Sequence, residues 1–229
     1  MKLFLDTAEL DEIRTAARWG VLSGVTTNPT LFSKAGGGSY ESILAQICAI
    51  TSGPVSAEVV ATDVEGMLSQ AQAFAKIASN IVVKVPMSEE GLEAISRLAA
   101  ENIATNCTLI FSANQGLLAA KAGAKLVSPF AGRIDDINHD GMAVVRDLVE
   151  IIRFHNIPSE VLAASLRHPL HVTQAALAGA HIATVPIHVL KQMVHHPLTD
   201  TGIVQFRKDW EQAQKQLAHA SSSPDGGRL

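Results

Sequence analysis

Ile81-Val82-Val83-Lys84-Val85-Pro86 is an apolar run with a single amine in its middle. So apolar a stretch reads as a barrel or sheet strand, which forces the Lys84 side chain into the interior. Desolvation disfavours the ammonium form and prepares a neutral nucleophile, as a Schiff-base enzyme requires. The plainer reading is a strand-edge lysine whose stem snorkels to water.

Working outward from this run, seven further apolar segments share its character: Leu3 to Leu5, Gly24 to Val25, Val55 to Val60, Ile103 to Ile110, Leu126 to Ser128, Val161 to Ala164 and Ile182 to Val185. Helix formers at helical spacing lie between them, as in Asp63 to Ala78, Glu89 to Glu101, Ala113 to Ala122 and Gly141 to Phe154. Strands alternating with helices imply parallel strands joined by crossover helices. Eight such units without a glycine-rich dinucleotide fingerprint favour a closed (β/α)8 barrel, a TIM barrel, over a doubly wound sheet. The linkers are short, and Thr62-Asp63 and Ser88 stand where helix caps are needed. Gly36-Gly37-Gly38 reads as a turn or mobile loop; without a Gly-Lys-Ser/Thr ending it is a poor phosphate loop.

The chain has 229 residues, 47% of them hydrophobic, enough for one large core. Its length is a little under the ~250 residues typical of such barrels. The expected organisation is a catalytic barrel over residues 1–199, a docking helix over 200–218 and a flexible tail over 219–229. Ile203, Phe206, Trp210, Ala213 and Leu217 give that helix one apolar stripe, to be covered by its own barrel or by a neighbouring subunit. A net charge of −4 without a basic cluster argues against nucleic acid as a partner. No run approaches the ~20 apolar residues that span a bilayer, and Met1-Lys2-Leu3-Phe4-Leu5-Asp6 meets a charge too soon for a secretory signal. Cys48 and Cys107, far apart, fit free thiols in a reducing cytosol, so the expected location is cytoplasmic. The pairs His168-x-x-His171 and His195-His196 do not make a metal motif, and no metal site is expected.

In a parallel barrel the reactive groups gather where strands run into the βα loops. Asp6 closes the first strand and Thr26-Thr27-Asn28-Pro29 the second; Glu58 and Lys84 lie in the third and fourth. Asn106 and Thr108, two apart, share a face of the fifth strand, while Cys107 points the other way and reads as packing. Ser128, Phe130 and Arg133 follow the sixth strand, and Ser165 and Arg167 the seventh. Each has a simpler reading. Asp6 fits a helix cap, Asn28 before proline a turn, Glu58 with Lys84 a structural bridge, and the two arginines surface ion pairs. Late in the barrel, however, such arginines often bind phosphate.

Leu5-Asp6-Thr7-Ala8, Gly24-Val25-Thr26-Thr27-Asn28-Pro29-Thr30-Leu31, Val83-Lys84-Val85-Pro86, the segment from Asn106 to Gln115, Val127-Ser128-Pro129-Phe130-Ala131-Gly132-Arg133-Ile134-Asp135 and Ala163-Ala164-Ser165-Leu166-Arg167 resemble the transaldolase family. The resemblance covers the chain from the first strand to about residue 212, and in length it is similar to the small transaldolases and their relatives, the fructose 6-phosphate aldolases. Transaldolases carry glutamate on strand three and phenylalanine after Ser-Pro, where the aldolases carry glutamine and tyrosine. Glu58 and Phe130 therefore favour transaldolase; the alternative is an aldolase that releases free dihydroxyacetone.

The resemblance implies transfer of a dihydroxyacetone unit from a ketose phosphate, such as fructose 6-phosphate or sedoheptulose 7-phosphate, to an aldose phosphate in the non-oxidative pentose phosphate pathway. Lys84 would form the Schiff base. Glu58, through a water held by Thr108, would shuttle protons, and Asp6 would take the proton of the C4 hydroxyl. Thr26 would line the substrate site, with Asn28 and Asn106 holding the enamine hydroxyls. Arg133 and Arg167, with Ser128 and Ser165, would bind the phosphate. The iminium is the electron sink, so no cofactor is implied. Glu58 would have to be distant, screened or protonated so as not to hold Lys84 charged. The resemblance also implies a homo-oligomer, a decamer of two pentameric rings with the terminal helix crossing to a neighbour.

Overall fold

The computed structural model describes residues 1–35 and 38–222, with side chains through residue 219. The elements run β1 (Lys2–Asp6), α1 (Leu10–Arg18), β2 (Gly24–Thr26), α2 (Pro29–Ala35), α3 (Tyr40–Ile50), β3 (Val55–Glu58), α4 (Val64–Ala75), β4 (Ile81–Pro86), α5 (Glu89–Ala100), β5 (Thr105–Ile110), α6 (Ala113–Lys121), β6 (Leu126–Pro129), α7 (Ala131–Asp135), α8 (Gly141–Phe154), β7 (Glu160–Ala163), α9 (Pro169–Leu177), β8 (Ile182–Val185), α10 (Ile187–Val194) and α11 (Pro197–Ser222). The strands pair in sequence order and in parallel, and β1 closes onto β8. This is the expected (β/α)8 barrel, with α11 as the additional C-terminal helix. Two compact units are present, Met1–Leu190 and Lys191–Leu229. Helix α11 begins three residues before the expected start and continues through Ser222; residues 223–229 of the expected tail, and Gly36 and Gly37 of the glycine run, lie outside the described residues.

The crossover helices form for local reasons. Asp63 and Ser88 cap α4 and α5 as expected, accepting hydrogen bonds from Gly66 N and Gly91 N; Asp140 does the same for α8. Helix α5 buries Gly91, Ala94, Ile95 and Leu98, the face that a helical period sets against the strands. The main core lies in this layer between strands and helices, with Val83, Val85, Ile95, Leu98, Val127 and Leu148 among its members.

A second apolar cluster contains Phe4, Val82, Leu126, Leu162 and Ile182, one residue from each of five strands. Because side chains alternate along a strand, these residues face the barrel axis together with the residues two places on. The Phe4 ring passes over Gly24, its partner in β2: a Cβ on Gly24 would come within 2.5 Å of that ring. Thus β2 supplies the gap that lets one aromatic ring plug the barrel. Among the described residues, no helix is long and apolar enough to cross a membrane.

Candidate active site

The register builds the site. Glu58 pairs with Lys84 and Lys84 with Asn106, so these three residues of β3, β4 and β5 stand in one row across the barrel. Asp6 pairs with Thr26 in the same way on β1 and β2. Asp6, Thr26 and Glu58 end their strands and Lys84 lies two residues before the end of β4, whereas Asn106 is near the start of β5; Asp6 and Lys84 stand two residues beyond the plug members Phe4 and Val82. A cavity of about 340 Å³ opens above them, a volume suited to a small ligand. Its wall includes Asp6, Thr26, Asn28, Lys84, Ser128 and Phe130, with Arg133, Ser165 and Arg167 on the β6 and β7 side. Asn106, Thr108 and Glu58 are not in that wall. The first two are fully buried beneath it, and Glu58 faces a neighbouring apolar groove beside Tyr40 and Phe74.

Lys84 is 4% exposed, which removes the snorkelling alternative. Its Nζ lies 2.9 Å from Glu58 Oε2 and donates to the carbonyl of Thr27 at 3.3 Å. The two side chains are therefore in direct contact, where the sequence calls for a distant, screened or protonated Glu58. Their paired register on neighbouring parallel strands sets the two residues side by side. A carboxylate at this distance can receive the ammonium proton directly, without an intervening water.

Asp6 does not cap α1, whose N-cap position, Glu9, makes no side-chain cap bond. Its Oδ1 instead accepts a hydrogen bond from Thr26 Oγ1 at 2.7 Å, and the Thr26 and Thr184 hydroxyls are 2.6 Å apart. With the Thr26 proton given to Asp6, Thr184 is the donor to Thr26. Burial raises the Asp6 pKa, against the opposing pull of Lys84 and the Thr26 bond. A carboxylate disfavoured by burial is a stronger base when it does ionise.

Asn106 is held at both ends. Its Nδ2 donates to Ser56 Oγ at 3.1 Å and its Oδ1 accepts from Ser128 Oγ at 2.6 Å. Asn28 does serve its turn, accepting from Leu31 N at 2.9 Å, and also reaches the cavity. The Thr108 hydroxyl, like that of Thr105, is buried without a protein hydrogen-bond partner. Cys107 points away, and burial pushes its thiol up to about 12, in keeping with packing.

Phe130 stands at the rim. Lys84 Nζ lies 5.9 Å from its ring centroid and the Arg133 guanidinium 5.1 Å, both within cation–π range. Arg167 pairs with Asp136 at 2.8 Å, so the ion-pair reading holds for it, yet it also lines the cavity. The β6 and β7 loops approach closely because residue 132 is glycine: a Cβ there would lie 2.0 Å from the Ser165 carbonyl. Ser165 itself adopts φ of 60°, a left-handed conformation uncommon outside glycine.

Three neighbours escape sequence reasoning. Lys34 of α2 and Thr184 of β8 line the cavity. Tyr40 of α3 lies behind it: Thr27 Oγ1 donates to Ser56 O, so the Tyr40 hydroxyl donates to Thr27 Oγ1, and it accepts from Glu58 N, each at 3.0 Å. A threonine in an apolar strand was the one signal for Thr184; none marked the other two. Among the described residues, no group of three or more His, Cys, Asp or Glu is placed to hold a metal ion.

Residues 3–222 match the family described as Transaldolase/Fructose-6-phosphate aldolase. A probable transaldolase of Heliobacterium modesticaldum is 61% identical over 211 residues, covering 92% of this chain and 98% of the relative. One from Thermoanaerobacter sp. is 57% identical over 213 residues, with 93% and 98% covered, and one from Roseiflexus castenholzii is 54% identical over 215 residues, with 94% and 99% covered.

Proposed function

The chain belongs to the transaldolase/fructose-6-phosphate aldolase family, and we propose that within it the protein is a transaldolase moving a dihydroxyacetone unit between sugar phosphates through a Schiff base on Lys84. The observation that carries this reading is the buried Lys84 amine, 2.9 Å from a carboxylate and at the wall of a polar cavity.

Glu58 takes a proton from the Lys84 ammonium as the ketose carbonyl enters, and the freed amine adds to C2. Glu58 then returns a proton to the departing hydroxyl, by way of a water on Thr108, and loss of water leaves the iminium. Asp6 removes the C4 hydroxyl proton, the C3–C4 bond breaks, and its electron pair moves into the iminium to give the enamine. The aldose phosphate leaves. C3 of the enamine adds to the aldehyde of an acceptor, whose oxygen recovers the proton from Asp6, and water hydrolyses the new iminium to restore Lys84. Asn28 and Asn106 orient the three-carbon unit, while Arg133 and Arg167, aided by Ser128 and Ser165, hold the phosphate. Phe130 has no proton to give, so the enamine persists until an acceptor arrives.

The same reading takes the protein to be a cytoplasmic homo-oligomer of the family's ring type that acts in the pentose phosphate pathway. Ile203, Phe206 and Trp210, all exposed on α11, support an interface on that helix.

The test is fructose 6-phosphate with erythrose 4-phosphate, followed for the wild type and for Lys84→Met. Transfer is expected to fall by more than about a thousandfold in the variant. Borohydride is expected to trap the three-carbon unit on wild-type Lys84 alone. Transfer retained without Lys84 would overturn the assignment, and rapid release of dihydroxyacetone without an acceptor would favour the aldolase alternative.

A further inference from the structure

We propose that His171 is a positioning residue for substrate phosphate: its Nδ1 fixes the backbone of Arg167, and Asp135 fixes the tautomer that makes this contact. The inference rests on the reading above that Arg167 binds the phosphate.

Arg167 N donates to His171 Nδ1 at 3.2 Å. A backbone nitrogen can only donate, so Nδ1 carries no proton and the neutral ring keeps its one proton on Nε2. That nitrogen lies 3.0 Å from Asp135 Oδ2, an acceptor when ionised. The other Asp135 oxygen accepts from Gly141 N at 2.8 Å, which anchors the carboxylate to the start of α8. The adjacent Asp136 takes Arg167 Nη2 at 2.8 Å. Consecutive carboxylates at the end of α7 thus hold Arg167 at both its ends, one directly and one through His171.

The loop that carries Arg167 needs such support. Ser165, two residues earlier, sits at φ of 60°, a conformation that persists only where its surroundings enforce it. His171 is buried at the start of α9, and the His168 ring lies against it, tilted by 39°, with the ring centroids 3.8 Å apart. Burial and the neighbouring His168 lower the His171 pKa against the pull of Asp135, which keeps Nδ1 available as an acceptor. The His168-x-x-His171 spacing, which makes no metal motif, therefore has a use. His168 Nδ1 accepts from His171 N and caps α9, while His171 holds the loop.

The two nitrogens can be separated by substitution. His171→Asn puts an amide oxygen near the position of Nδ1, and His171→Gln puts its amide near that of Nε2. KM for fructose 6-phosphate is expected to rise about tenfold in His171→Gln, the cost of losing the hydrogen bond that holds Arg167 N, and to stay within about threefold of wild type in His171→Asn. In both, kcat and borohydride trapping of unphosphorylated dihydroxyacetone on Lys84 are expected to change by less than about twofold, as for a group that acts only on phosphate binding.

An unchanged KM in His171→Gln would overturn the inference, as would an equal rise in both variants or a parallel fall in dihydroxyacetone trapping. Arg167→Ala separates the two levels. If it leaves KM unchanged, the phosphate reading itself fails; if it raises KM while His171→Gln does not, only the role of His171 fails.

Discussion

Inside the barrel, Phe4, Val82, Leu126 and Ile182 stand two residues before Asp6, Lys84, Ser128 and Thr184 on the same four strands. All but Asp6 are nearly inaccessible, yet the first set is an apolar plug and the second a hydrogen-bonded polar layer. One step of the two-residue strand period separates chemistry from packing. The plug lies below the site, and Asp6, Lys84, Ser128 and Thr184 of the polar layer line the cavity. Within that layer partners are shared in short chains, from Thr184 through Thr26 to Asp6 and from Ser128 through Asn106 to Ser56. Such sharing is what makes buried polar groups tolerable.

The contrast breaks most visibly at Asp6. Its pKa is raised by burial, so the folded state holds the proton over a range where the unfolded chain has lost it. Across that range stability falls as pH rises, and above it the ionised form carries a desolvation cost that Lys84 and the Thr26 bond only partly offset. Asp6→Asn is therefore expected to lose activity by up to about 10⁴-fold, as a general base would, and at the same time to melt higher at neutral pH. The gain in melting temperature over wild type should grow from acid to neutral pH. A variant that melts lower at neutral pH would place Asp6 among the stabilising groups instead.

One step down, Phe4→Ala tests the plug. Removing a fully buried ring that fills the space over Gly24 is expected to cost about 3–5 kcal/mol in denaturant unfolding. A loss below about 1 kcal/mol would mean that the neighbouring strands collapse into the gap, and that the plug is less rigid than its packing implies.

How much of this division is legible in the sequence depends on whether one strand suffices to see it. Lys84 stands out because five apolar neighbours surround it, and Asp6 because it ends an apolar run. The barrel is legible because eight such runs alternate with helical spacing. The contact between Lys84 and Glu58 is not, since a sequence identifies neighbouring strands but not the register that sets the two residues level. Tyr40 is hidden for the same reason. It lies on a helix before β3, and only the folded chain brings its hydroxyl to Glu58 N and Thr27. Lys34 looks like any exposed helix lysine until α2 is set beside the cavity mouth.

Phe130 is the member that crosses the division, an aromatic ring packed on the apolar plug yet facing the polar cavity. Its face already meets two cations, Lys84 and Arg133, so a hydroxyl added at its edge changes the proton supply more than the packing. Phe130→Tyr is expected to lower transfer to erythrose 4-phosphate by about tenfold or less, the smallest effect of the three. Acceptor-free release of dihydroxyacetone from fructose 6-phosphate should rise in step, because the phenol can protonate the enamine carbon that would otherwise wait for an aldehyde. The ratio of released to transferred three-carbon units measures this directly. If that ratio stays at the wild-type value while the variant remains active, the ring only excludes water from the enamine and its lack of a proton is not what commits the site to transfer.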